Sequence, residues 1–294
     1  MATAITDAAA KFSTAIGIPF IGLLLFYFGW RWSFAATGFI SFLYFVLFYL
    51  IYRNPSEDNQ LSAMEREFVL RGGAQPEDKA KARSGSSLGY LLCQRKVYGL
   101  ALGWGAYNYT FFLLLTWLPS YLSVTHHVDL LHSVSYTSVP WLFATFTDLV
   151  VGGWLVDALI QRGWDANRVR QIVLVMGMSF GLSIFGAARA NSPALALLWI
   201  SLALGGLAAA APVAWTVPSL ISPPESVGTL ASAVNFCGQI AAISAPIVTG
   251  YIVSGTRSFA AAFVTATVIL LLGIVGYVLL LGRIEPIPEP GTHD

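Results

Sequence analysis

Residues Tyr136–Gln161 read YTSVPWLFATFTDLVVGGWLVDALIQ, an apolar run with a single internal acid, Asp148, closed by Gly152-Gly153, Asp157 and then Arg162. About 20 apolar residues in a helix cross a bilayer core of about 30 Å. Tyr136 to Ile160 is therefore a membrane span, and a helical one, because lipid offers backbone N–H and C=O groups no partner. Seven further runs of spanning length surround it, at Phe12–Phe28, Trp32–Tyr52, Val97–Val124, Gln171–Ala188, Pro193–Ser219, Gly228–Val253 and Phe259–Leu281. None shows the period-2 alternation of a transmembrane barrel. The expected fold class is an all-α polytopic membrane protein with eight transmembrane helices.

Composition agrees. Hydrophobic residues make up 56% and charged residues 11% of the chain, whereas soluble domains carry about 25% charged residues. With the N-terminus inside, thirteen Lys and Arg, Lys11 among them, fall in cytoplasmic segments and only Arg31, Arg189 and Arg257 on the other side. This bias predicts cytoplasmic termini. The lipid bilayer is thus one partner, and the absence of basic aromatic stretches argues against nucleic acid. Cys93 and Cys237 lie far apart in the topology, with no metal-type spacing, so no disulfide or metal site is expected.

A charged loop, residues 53–96, separates two spans from six. Ser62-Ala-Met-Glu65 inside it has the spacing of a capping box, which would start a short surface helix placing Leu61, Met64 and Phe68 against the membrane or the bundle. Gly72-Gly73, Pro76 and Ser84–Ser87 read as linker. The first pair of spans contains Pro19, Gly22, Gly29 and Arg31, and the last pair contains Pro246, Gly250, Gly255 and Arg257 in matching order. On that match, residues 1–52 are the last two helices of one half and 97–283 a complete six-helix half, with 284–294 a short cytoplasmic tail. Two six-helix repeats joined by a long loop are the architecture of one large transporter class.

The run Gly152-Gly153-Trp-Leu-Val-Asp157-Ala-Leu-Ile-Gln-Arg162-Gly163 resembles the Gly-x-x-x-Asp-x-x-x-x-Arg cytoplasmic loop signature of the major facilitator superfamily, carried here by Gly153, Asp157 and Arg162. Glycine lets two helix ends approach, and Asp157 with a nearby Arg can form a latching charge pair. Gly29-Trp30-Arg31-Trp-Ser-Phe34 with Gly38, Leu61-Ser62-Ala-Met-Glu65 and Thr116-Trp117-Leu118-Pro119-Ser-Tyr121 look like the anion:cation symporter family of that superfamily. The resemblance implies a carrier whose halves rock around a central site, moving a small organic anion such as a sugar acid together with a proton or sodium ion, without a cofactor. It covers the family's last eight helices, so the expectation is an N-terminally truncated chain whose partners include the missing helices. A late start codon or a disrupted gene would explain this, and the chain alone should then not transport.

Polar groups inside hydrocarbon usually face a bundle interior or a wet cavity. Ser232, Asn235 and Gln239 share one helical face; they are either interhelical hydrogen-bond glue or a cavity wall with Asn235 and Gln239 donating to substrate oxygens. Asn108 and Tyr109 lie in an aromatic segment with Trp104, Tyr107 and Phe111 that suits a polyhydroxylated acid, though aromatics also fill cores. Trp215 and Thr216, after Pro212 and a small-residue run Gly205–Ala211, complete the substrate-binding candidates. Asp148 is the coupling candidate: deep in a span it must be protonated, paired or open to water, or else a structural partner for Thr145 or Thr147. Nine steps of about 100° turn Asp157 to the opposite face from Asp148, so no carboxylate dyad is expected on this helix. His126, His127, Asp129 and His132 cluster in one short loop but match no zinc spacing. The rival reading is a membrane-embedded enzyme or sensor; an enzyme would need convergent catalytic groups, and here there is no catalytic residue to name.

Overall fold

The computed structural model describes residues 1–53, 62, 64–65, 67, 88–129, 135–223 and 226–288. Its helices are α1 (Ala2–Ile51), α2 (Leu88–Leu92), α3 (Arg95–His126), α4 (Ser138–Gln161), α5 (Ala166–Ala187), α6 (Pro193–Ile221), α7 (Val227–Thr256) and α8 (Ala260–Leu281). Among the described residues six of these are long and apolar enough to cross a bilayer. The expected eight spans correspond to this set because α1 holds two of them, on either side of Gly29, and α3 is a 32-residue helix with a polar, aromatic face. Gly29 interrupts α1 at φ 76°, ψ 172°, a conformation that only glycine adopts without strain.

The chain divides into two compact units, Leu23–Gly85 and the remainder, Met1–Gly22 with Ser86–Asp294. In the smaller unit the expected capping box is present: Glu65 accepts from Ser62 N at 2.9 Å, and Ser62 Oγ accepts from Glu65 N at 3.2 Å. Met64 is exposed. Leu61, Phe68 and the linker read at 72–87 lie outside the described residues.

In the larger unit the helix ends follow local chemistry. Asp165 accepts from Arg168 N at 2.7 Å and starts α5; Ser192 accepts from Leu195 N ahead of Pro193 and starts α6. His127 and Arg257 stop α3 and α7 in the left-handed conformation. The middle of the unit is α6, whose Gly205–Ala211 run is fully enclosed or nearly so apart from half-buried Gly206. Small residues do this by letting backbones meet: a Cβ on Gly177 would lie 2.5 Å from Gly206 O, and one on Gly206 2.3 Å from Phe180 Cβ. Thr147 Oγ1 donates to Gly205 O at 2.8 Å and ties α4 to the same helix. α3 packs against α7 and α8, where Gly103 takes the ring of Tyr277 and Gly99 meets the backbone of Leu281. The segment after α8 folds back, with Ile287 N donating to Ile221 O at 2.8 Å.

Candidate functional site

Helical spacing places Trp104, Tyr107, Asn108 and Phe111 on one face of α3, and their side chains form a continuous aromatic chain. Trp104 stacks on Tyr107 at 4.9 Å and meets Trp215 of α6 edge-on at 4.8 Å. Tyr107 continues to Phe111, and Phe111 to Trp141 of α4. Asn108 is buried beside this chain, its Nδ2 donating to Trp104 O at 2.8 Å. Gly238 of α7 receives the edge of Trp104: a Cβ there would lie 2.5 Å from Trp104 Cδ1 and 3.0 Å from Asn108 Nδ2. Asn235 and Gln239, three residues before and one after Gly238, flank that contact. Gln239 is exposed, while Asn235 is half-buried with Oδ1 enclosed and unbonded.

The structure brings Asn108 and Trp215 together at Trp104, an aromatic that the sequence leaves open between substrate contact and core filling, while Asn235 and Gln239 lie on α7 within one turn of Gly238, the residue that Trp104 meets. Two candidates sit elsewhere. Tyr109 turns toward Thr249, and neither hydroxyl completes a hydrogen bond. Thr216 donates to Val213 O at 2.7 Å and borders a cleft of about 70 Å³ shared with Asp157 and Arg170.

A second polar centre joins α1 to α4. Asp148 has no exposed surface, and its Oδ2 accepts from Lys11 Nζ at 2.7 Å. Lys11 also bonds Asp7, one helical turn earlier. Lys11 is 2% exposed, which corrects its assignment to a cytoplasmic segment: helix α1 begins at Ala2, ten residues before the expected span. The partner of Asp148 is this lysine, not a threonine hydroxyl. The signal was present in the sequence, because Ala4, Ala8, Lys11 and Ala15 recur at steps of four, three and four and are the residues α1 buries in this unit.

Gly152 and Gly153 allow α4 to touch two neighbours at once. A Cβ on Gly153 would lie 2.7 Å from Ala4 Cβ, and one on Gly152 2.7 Å from Ala209 O. Asp157 bonds the Met1 amino group at 2.7 Å, and no ion pair joins it to Arg162 among the described residues; the expected Asp–Arg latch is not formed. Asp148 and Asp157 both face α1, which overturns the opposite-face expectation. Residues Asp148–Leu155 are π-helical, and each π turn closes over one more residue than an α turn, so eight residues lag by roughly a third of a turn. The two carboxylates still bind different partners and form no dyad.

Outside the spans, burial first and then the neighbouring His127 push the His126 imidazole below its ordinary value; its Nε2 lies 3.1 Å from Tyr121 Oη. Glu65 is held below the usual carboxylate range by the Ser62 backbone and hydroxyl donors. His132 lies outside the described residues.

The sequence profile of the Major Facilitator Superfamily matches residues 1–177, more than half of the chain. The chain belongs to the Major Facilitator Superfamily. Members of this superfamily are transporters, not enzymes. It is 38% identical over 98% of its length to the uncharacterized transporter YybO of Bacillus subtilis (strain 168), covering 66% of that protein. The probable galactarate/D-glucarate transporter GarP of Escherichia coli (strain K12) is 32% identical over 97% of the chain and 65% of its own length. For the D-galactonate transporter of Escherichia coli O6:H1 the values are 28%, 92% and 64%. The chain thus spans just under two thirds of the length of these curated relatives. In structure it resembles the inward-facing, unoccupied bacterial homolog of the human lysosomal transporter Spinster, with a TM-score of 0.58 at 16% identity, over 95% of this chain and 68% of that one. This likeness concerns the fold, and with the family match it makes the chain a multi-pass, all-helical membrane protein of the superfamily.

Proposed function

We propose that the chain belongs to a secondary active carrier of small organic anions, in particular sugar acids of the galactonate and glucarate kind, moved by symport with a proton or sodium ion through alternating access. The supporting observation is the family match together with relatives named as sugar-acid transporters. Asn108 and Trp215 at Trp104, with Asn235 and Gln239 beside Gly238 on α7, then form one wall of the substrate site, where rings stack on the carbon chain and amides bond its hydroxyls and carboxylates. Tyr109, toward Thr249, and Thr216, at the cleft with Asp157, would act away from this wall, on the path to and from it. The opposite wall belongs to helices of the kind that fill the remaining third of the relatives.

In this reading residues 1–52 end one half, 53–96 link the halves, 97–283 form the other half and 284–294 the tail. Gly153, Asp157 and Arg162 carry the cytoplasmic loop signature, and Asp148 takes part in coupling. With Lys11 inside the bundle, twelve Lys and Arg remain on the cytoplasmic side against three, which supports an inner-membrane protein with cytoplasmic termini. The anion:cation symporter family is the branch of the superfamily that fits.

Binding of radiolabelled D-glucarate to the purified protein in lipid nanodiscs tests the substrate class. Unlabelled D-glucarate and D-galactonate should displace the label and D-galactose should not. Equal displacement by the neutral sugar, or no saturable binding of either acid, would exclude this reading.

A further inference from the structure

We propose that Asp7, Lys11 and Asp148 form a proton-operated lock: the cluster holds one proton while Ala2–Gly22 is packed on α4, and loss of that proton releases the two helices. The charge count carries the idea. Two carboxylates share one ammonium, so the cluster is one negative charge in excess unless it holds a proton. Lys11 is 2% exposed, Asp148 not at all and Asp7 18%, and a net charge with so little water is unfavourable in such a setting.

The proton is assigned to Asp148 Oδ1. This oxygen is enclosed and makes no hydrogen bond, although Oδ2 of the same carboxylate is bonded to Lys11. A sodium ion would need several oxygen ligands and would lie against the Lys11 ammonium; a proton needs only the one free oxygen. The titratable groups around the cluster are Asp7 and Lys11 from α1 and Tyr107 from α3, whose phenol neighbours Lys11. Helix α6, packed on the other side of α4, contributes no titratable side chain between Pro193 and Ile221. Release is a simple ionisation: the O–H bond at Asp148 Oδ1 breaks, its electron pair stays on the carboxylate, and the proton passes to water admitted as the helices part.

The rest of the seam is suited to parting. Ala4, Ala8 and Ala15 present a shallow face, and beyond the cluster the directional ties include Ser138 Oγ to Ala15 O at 2.8 Å and the Met1–Asp157 pair. This inference rests on the carrier reading only for its purpose, since the lock itself requires no substrate.

Nitroxide labels on cysteines introduced at the exposed positions Phe12 and Val139, with Cys93 and Cys237 replaced by serine, report the separation by pulsed electron resonance in nanodiscs. From about pH 5 to about pH 9 the equilibrium between packed and parted populations should shift toward parted, at its steepest by about tenfold per pH unit for one proton. Asp148→Asn and Asp7→Asn each remove the surplus carboxylate, so each should stay packed and change by less than about twofold across that range. Lys11→Met should move the transition to lower proton concentration, because both carboxylates lose their counter-ion. A parent that ignores pH, or neutral variants that part at every pH as broken structural ion pairs would, overturns the lock. If Asp148→Asn does not fold, Asp7→Asn decides the question by the same two outcomes. Loss of D-glucarate binding with an intact pH response would instead count against the substrate class alone.

Discussion

Gly238→Ala tests whether the aromatic wall is built as described. The added methyl would lie 2.5 Å from Trp104 Cδ1, 2.7 Å from Nε1 and 3.0 Å from Asn108 Nδ2. Trp104 has no free direction of retreat, since Tyr107 stacks on one side at 4.9 Å and Trp215 meets its edge at 4.8 Å. Overpacking of this kind costs about 1–3 kcal/mol, and the better helix propensity of alanine returns at most about 1 kcal/mol. With the middle of that cost and the full return, the expected net loss is about 1 kcal/mol, and Gly238→Leu should exceed it. Unfolding in lipid–detergent micelles, followed by far-ultraviolet circular dichroism, measures the difference. Combining Gly238→Ala with Trp104→Ala should recover at least about 0.5 kcal/mol relative to additivity, because the smaller ring position accepts the methyl. A Gly238→Ala protein as stable as the parent, or a penalty that Trp104→Ala leaves unchanged, would show that α3 and α7 do not meet through this contact.

Other outcomes follow from the same geometry. Asn235→Ala and Gln239→Ala should weaken D-glucarate binding by about 0.5–1.5 kcal/mol each, or up to about 3 kcal/mol where the lost bond is to a carboxylate, with nearly unchanged unfolding; variants that fail to accumulate but bind normally would mark these residues as packing. Cysteines placed at Ser86 and Asn167 should react with an impermeant maleimide only from the cytoplasm and one at Val128 only from outside; reversed labelling would overturn the topology. Because His126 is held below its ordinary value of 6.5, the fold favours its neutral form, and this contribution is present above pH 6.5 and lost as pH falls through the lowered value. Thermal stability should therefore drop more between about pH 6.5 and about pH 5 in the parent than in His126→Gln; parallel curves would remove His126 as the cause.

The fold was legible in the chain because hydrocarbon enforces one solution, and apolar runs of spanning length report it directly. Less legible was anything that depends on which helices meet. Lys11 read as a cytoplasmic flank of a later-starting span, because a single-residue view treats lysine as a stop to hydrophobicity; buried against Asp148 it continues the helix. The phase of Asp157 was lost for another reason: nothing in Asp148–Leu155 announces a π-helical stretch, and the lag it introduces is enough to reverse a face. At the aromatic wall the residue types were visible, yet only the contact of Trp104 with both Gly238 and Trp215 shows which of them share a surface.

The larger unit joins its helices in two physically different ways, and the difference indicates where movement is possible. Between α3, α7 and α8, and between α5 and α6, large side chains or whole backbones sit in glycine gaps: Trp104 at Gly238, Tyr277 at Gly103, Gly206 O at Gly177. Such contacts are sharp in space, and a shift of about 1 Å turns close packing into overlap or void. The seam of α1 with α4 has mostly alanines on one side, with Gly153 opposite Ala4, and takes its specificity from an ion cluster whose strength depends on its protonation and on water. An interlocked contact holds under any charge state, whereas an ionic contact over a shallow face can be released without breaking the core. A carrier that must hold one set of helices rigid while another swings would distribute its contacts in this way, and the structure puts the one buried lysine among its described residues on the ionic seam, where the proposed lock would act.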